Sequence, residues 1–120
     1  MTKLIALQTL ALVVFSLPAL SIAGSSANTL LLNNDHVEVV RLSYPPGTES
    51  GMHSHQHPHR VVYVEQGGIL ELVPADQTKE SKTITLPTGA ALFLPGTTHN
   101  VKNIGDTNVI LVETEIKGQN

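Results

Sequence analysis

The sequence predicts an all-β domain, and three observations support this fold class. After residue 23, no window of useful length repeats apolar residues at helical spacing. Short runs rich in Val, Ile, Leu and Thr recur instead, as in strands. Residues typical of turns, mostly Pro and Gly, separate these runs. Many short strands at such spacing are typical of a β-sandwich or a jelly roll.

The amino-terminal segment, residues 1–23, is predicted to be a secretory signal peptide that precedes one domain at residues 24–120. Lys3 supplies a positive charge, Leu4–Leu20 is almost entirely apolar, and the small residues Ser21 and Ala23 precede the expected cleavage point. An uncleaved membrane anchor is the alternative, which Pro18 and other interruptions disfavour. We therefore expect an exported protein, periplasmic or extracellular, that does not associate with a membrane after cleavage.

Nine strands are predicted from the runs, each ended by a turn or a polar loop. In chain order they are residues 29–32, 37–44, 51–55, 60–66, 69–73, 82–86, 90–94, 99–103 and 108–116. The turns include Pro45-Pro46-Gly47, Pro95-Gly96 and Gly105-Asp106, and residues 76–82 form a polar loop. Gly67-Gly68 predicts a two-residue hairpin, because glycine takes positive φ at both positions at little cost.

The composition excludes several classes of function. Lys and Arg number 7 against 10 Asp and Glu, for a net charge of −3, so the basic footprint of a nucleic-acid-binding protein is missing. The absence of cysteine excludes disulfides, thiolate zinc sites, iron–sulfur clusters and a cysteine nucleophile. Any chemistry must therefore use histidine, carboxylate or hydroxyl groups.

Histidine is the residue type that stands out. The chain has 6 histidines, and residues 53–59 read His-Ser-His-Gln-His-Pro-His. Alternate side chains on a strand face the same way, so His53 and His55 can direct two imidazoles at one point. His99 can supply a third, since it begins a predicted strand, whereas His36 belongs to a polar turn. Imidazole is a common ligand for Cu, Zn, Fe and Ni, so the pattern predicts a divalent transition metal site.

The spacing of these residues resembles the two motifs of the cupin superfamily. Four residues match the first motif and four match the second, although the Pro-Gly turn is one residue shorter than in the family. The matching residues are Gly47, His53, His55 and Gly67, then Gly89, Pro95, His99 and Asn103. The resemblance implies a double-stranded β-helix, also called a jelly-roll barrel, with a metal site inside it.

The chain departs from the family at one metal-ligand position. Arg60 stands where the family has a glutamate, and a protonated guanidinium cannot bind a metal ion. His53 with His55 preserves the spacing from Gly47, and His55 with His57 is the alternative pair. His57 or His59 could fill the place of the glutamate. We predict a site of His53, His55, His59 and His99, with His57 as the alternative ligand.

The number of ligands separates two function classes that the sequence leaves open. Three imidazoles leave coordination positions for a substrate, whereas four close a tetrahedral site. The family resemblance implies either a metal-binding domain without known activity or a metal-dependent, dioxygenase-like enzyme acting on a small organic molecule. Arg60 and Tyr63 are candidates to orient such a ligand, and Arg60 would clamp a small organic acid. A homodimer is expected from the resemblance and from the small core.

Overall fold

The structure is a computed structural model that describes residues 25–118, and this range contains nine strands and no helix. In chain order the strands are β1 (Ala27–Asn33), β2 (Val37–Tyr44), β3 (His53–Ser54), β4 (His59–Gln66), β5 (Gly68–Pro74), β6 (Lys82–Leu86), β7 (Ala91–Pro95), β8 (Thr98–Asn103) and β9 (Val109–Ile116). The all-β prediction is confirmed. The predicted signal peptide lies outside the described residues, and within them no helix has the length and hydropathy to cross a membrane.

The strands form two antiparallel sheets that share one core. The five-stranded sheet has the order β1-β2-β9-β4-β7, and the four-stranded sheet has the order β3-β8-β5-β6. Both sheets contribute to a single buried apolar cluster: Leu42, Tyr44, Val62, Val64, Val109 and Leu111 from the first, and Leu70, Leu86 and Val101 from the second. The core therefore lies between the sheets, as in a jelly roll.

Strand β4 shows the two-residue alternation of a half-buried strand. Arg60, Val62 and Val64 are buried, whereas Val61 and Tyr63 between them are exposed. The inward direction of Arg60 is set by the same alternation that directs the two valines into the core. An arginine thus occupies an interior position of the barrel.

Strand β9 has the same alternation but carries acids at its end. Val109 and Leu111 are buried in the core, and Glu113 and Glu115 continue the same face of the strand. Since β9 pairs with β2 on one side and β4 on the other, its inward face lies deep in the barrel. Two carboxylates are therefore placed inside, near the end of the sheet.

The predicted hairpin at Gly67-Gly68 is wrong. Strand β4 pairs with β7 and β9, whereas β5 pairs with β6 and β8, so these glycines join two different sheets. Neither glycine has positive φ. A Cβ on Gly67 would lie 2.0 Å from the carbonyl oxygen of Leu86, so close approach of the backbone requires glycine there.

The Pro95-Gly96 turn packs against the histidine-rich segment. A Cβ on Gly96 would lie 2.6 Å from the carbonyl oxygen of His57 and 2.9 Å from that of His55. The Gly96 amide donates to the carbonyl of Pro58 at 3.0 Å, and the His55 amide donates to that of Thr97 at 2.9 Å. These contacts fix the backbone of residues 55–58 beside the start of β8.

The outer face of the five-stranded sheet carries an apolar patch. Val61, Tyr63 and Phe93 are exposed there, and Val61 pairs across the strands with Phe93. The His59 ring stacks on Phe93 with centroids 5.1 Å apart. An exposed patch of this kind is compatible with association, and the homodimer stays a prediction.

Candidate metal centre

Three histidines converge at one end of the barrel. His53 on β3 pairs directly across the strands with His99 on β8, and His55 follows β3 by one residue. The Nε2 atom of His55 lies 3.1 Å from Nε2 of His53 and 3.1 Å from Nε2 of His99. Two nitrogens bound at about 2.1 Å in a tetrahedral site lie about 3.4 Å apart. The spacing therefore fits three nitrogens that share one ion.

The Nδ1 atoms of His53 and His55 both have hydrogen-bond partners, which leaves the Nε2 atoms of these rings free to bind an ion. The Nδ1 atom of His53 lies 3.0 Å from the carbonyl oxygen of Gly51, an obligate acceptor. The Nδ1 atom of His55 contacts the carboxylate of Glu115. Both partners favour a proton on Nδ1, which leaves the lone pair of each ring on Nε2. This is the tautomer that a histidine requires to bind a metal ion through Nε2.

Burial favours the neutral form of two of the three imidazoles, those of His55 and His99. It is the main cause that lowers the pKa of His99 to about 4, and the neighbouring rings of His53 and His55 add to the effect. The pKa of His55 is also lowered, again mainly by burial. Because a metal competes with protons for these nitrogens, neutral rings at physiological pH favour binding of a cation.

A buried ion pair lies next to the histidines. The Nε atom of Arg60 is 3.2 Å from a carboxylate oxygen of Glu113, and one terminal nitrogen of Arg60 donates to the carbonyl of Pro95 at 2.8 Å. Burial raises the pKa of Glu113 to about 7, although the charge of Arg60 acts in the opposite direction. The carboxylate beside Arg60 in this structure thus belongs to the protein itself, and a clamp on an organic acid stays a prediction.

Two of the predicted site residues lie away from this group because of the alternation of β4. Arg60 faces inward, so His59 and Tyr63, at odd positions on the same strand, face outward and are exposed. His59 therefore does not join the three imidazoles in the structure, and its ring stacks on Phe93 instead. Tyr63 likewise does not line the site.

His57, the alternative ligand, also stands apart from the three converging rings. It is half-buried and lines a cavity together with Glu38, His55 and Glu115. The group of nitrogens close enough to share an ion contains His53, His55 and His99 only, among the described residues. The structure thus brings His53 and His55, the preferred pair, together with His99, and no fourth histidine joins them among the described residues.

The sequence interpretation missed Glu113 and Glu115. His55 and these two glutamates form a second group of closely spaced ligand atoms. The signal was present in β9, where each glutamate occupies a position in phase with the apolar residues Val109 and Leu111. An acid in phase with the buried side of a strand is uncommon, since burying a charge is costly unless it is paired.

Replacing Glu115 with glutamine is expected to weaken metal binding about 10- to 100-fold, the usual effect of losing a group that orients a ligand. The amide keeps an acceptor near Nδ1 of His55 but removes the charge that makes the ring more basic. Competition with a chelator of known affinity measures the change. Glu65→Gln is the matched control, because Glu65 pairs with Arg41 on the outer surface. Equal affinities in the two variants would contradict this role of Glu115.

Comparison with known proteins gives consistent matches. Residues 40–115 match the family model of the cupin domain. The "Beta-alanine degradation protein BauB" of Pseudomonas aeruginosa is 36% identical over 90 residues, which cover 74% of this chain and 90% of that protein. A cupin domain from Bordetella pertussis superposes with a TM-score of 0.71 at 34% identity, covering 80% of this chain and 97% of the other. A double-stranded β-helix protein from Klebsiella pneumoniae has a TM-score of 0.62 at 24% identity, over 80% of each chain, and is similar in fold.

Proposed function

The chain belongs to the cupin domain family, and on this basis we propose that it binds one divalent transition metal ion through His53, His55 and His99. The convergence of three Nε2 atoms is the observation that carries the proposal, since that of His55 lies 3.1 Å from those of His53 and His99. Neutral nitrogen ligands favour Cu, Zn, Fe or Ni over Mg and Ca. When bound, such an ion supplies Lewis-acid chemistry, since three neutral ligands leave its charge unreduced.

Cavities on either side of the histidines favour a site that admits a small molecule. Beneath them is an apolar pocket of about 60 Å³, and beside them is a larger cavity of about 280 Å³. The larger one is just below the range of about 300–1,000 Å³ found for drug-sized ligands. A ligand of a few heavy atoms would fit beside the ion.

A metal-dependent enzyme of the oxygenase type is the second candidate function. The relative from Pseudomonas aeruginosa, named for degradation of β-alanine, favours a role in the breakdown of a small organic molecule. Export is part of the proposal and depends on the predicted signal peptide. Oxygen consumption by iron- or copper-loaded protein, with β-alanine as the first compound, separates the two functions: turnover supports an enzyme, and metal binding without turnover supports a binding protein.

The metal proposal is tested by titrating metal-free protein with Zn²⁺ and Co²⁺ in a calorimeter. We expect one ion per chain for the wild type and for His59→Ala, whose ring lies on the outer face. His99→Ala is expected to lose this stoichiometric binding, because one of the three nitrogens is removed. Retention of one tightly bound ion by His99→Ala, or its loss in His59→Ala, would contradict the proposed ligand set.

A further inference from the structure

The larger cavity beside the histidines has an acidic wall, and we call it the acidic chamber. It holds about 280 Å³ and is defined by Glu38, Glu113 and Glu115, with Val40 and Tyr44 on its apolar side. A second cavity of about 280 Å³ continues from it and shares Glu38 and Glu115. No lysine or arginine lines either cavity among the described residues. The chamber therefore presents negative charge to any molecule that enters it.

Two of these acids lie directly opposite each other. Glu38 on β2 pairs across the strands with Glu115 on β9, so their side chains share one face of the sheet. Like charges at directly opposed positions destabilise a sheet. A cation between them would turn this repulsion into attraction.

The three acids have a single arginine as a cationic partner among the described residues. Arg60 forms an ion pair with Glu113 and lies across the strands from Glu115. Glu115 uses one oxygen to contact His55, while its other oxygen, Oε2, is buried without any hydrogen-bond partner, and the residue is only 8% exposed. Glu38 makes no ion pair with another described residue. A buried carboxylate oxygen without a partner is costly, so the orphaned Oε2 itself indicates a missing donor.

We propose that the acidic chamber binds the ammonium group of a small organic amine. An ammonium offers three donors and one positive charge to Glu38 and Glu115, and its carbon atoms would contact Val40 and the ring of Tyr44. A second metal ion fits less well, because Nδ1 of His55, which would have to be a ligand, is already occupied by Glu115. Any reaction of the bound amine at the metal ion rests on the proposed function. The binding of the amine in the chamber depends on protein side chains alone.

The proposal is tested by NMR titration of the full chain with propylammonium, a cation, and with propionate, an anion of similar size. We expect propylammonium to bind in about the millimolar range, as suits a ligand of four heavy atoms. The shifted amide signals are expected on β2 and β9 around the chamber. Binding is expected to weaken about tenfold in Glu38→Gln, since a charge-assisted hydrogen bond is lost. Glu65→Gln, on the outer surface, is expected to bind as the wild type does.

Zinc titration of the same samples keeps this proposal separate from the metal site. Glu38→Gln is expected to retain one zinc ion per chain, because Glu38 forms no ion pair with any of the three histidines and is not in the group of ligand atoms that they form. Three results would overturn the amine site. Propionate could bind as tightly as propylammonium, the affinity of Glu38→Gln for propylammonium could equal that of the wild type, or Mg²⁺ could fill the chamber in place of the amine. If the wild-type protein binds propylammonium but does not bind zinc, the metal site is contradicted and the amine site is not.

Discussion

Replacing His55 with alanine is expected to remove the stabilisation that a transition metal gives to the protein. At a metal concentration 100 times Kd, binding to the folded state stabilises it by about 2.7 kcal/mol. For a domain of this size, that corresponds to a rise in Tm of about 10–20 °C. His55 is the central ligand, since its Nε2 lies 3.1 Å from those of both His53 and His99. Without His55, only the nitrogens of His53 and His99 remain to bind the ion.

Differential scanning calorimetry with and without Zn²⁺ measures this effect within each protein, so any loss of stability in the metal-free variant does not obscure it. His36→Ala is the matched control, because His36 lies in the turn between β1 and β2. We expect the zinc-dependent rise in Tm in His36→Ala and the wild type, and almost none in His55→Ala. A full rise in His55→Ala would show that the ion binds elsewhere.

Replacing Arg60 with methionine is expected to cost about 3–5 kcal/mol of folding stability, the usual effect of leaving one member of a buried ion pair alone. The side chains of Arg60 and Glu113 are only 4% and 13% exposed. Urea denaturation of metal-free protein measures the change. Against a total stability of about 5–15 kcal/mol, this is a large fraction.

The pH dependence of the stability lost in Arg60→Met shows whether the unpaired charge of Glu113 causes it. The pKa of Glu113 is raised by burial from its ordinary value to about 7, so the folded state holds the proton more tightly than the unfolded state does. Stability therefore falls as pH rises from about 4.5 to 7, and without Arg60 the fall extends to higher pH. We expect a larger cost at pH 8 than at pH 6. The double variant Arg60→Met, Glu113→Gln is expected to recover most of the stability; a cost independent of pH would instead indicate lost packing.

The fold was largely predictable because its signals are local. Each run of apolar and β-branched residues corresponds to one strand, and only the ends differ: β1 begins earlier than predicted, and β3 is reduced to His53–Ser54. The corner at Gly67 was not predictable, since glycine is required there by the carbonyl of Leu86, which is distant in sequence. Which strands become neighbours is decided by packing across the whole chain.

The site was predictable only in part, for the same reason. Strand alternation and motif spacing predicted His53, His55 and His99 as ligands, and the structure brings these three together. His59 was expected to replace the missing glutamate because it is adjacent in sequence to Arg60. Neighbouring residues on a strand face opposite sides, so the inward direction of Arg60 sends His59 outward. Glu115 meets His55 only because β9 lies between β2 and β4.

The pairing of β3 with β8 gives a bound ion a further role, as a cross-link between distant parts of the chain. His55 and His99 are separated by 44 positions, and the chain has no cysteine to close such a loop. In the chain-entropy account, a covalent link over this length restricts the unfolded state by about 4 kcal/mol. An ion held by both histidines would act as a reversible staple of this type, so a chelator would affect this protein as a reducing agent affects a disulfide-bonded one.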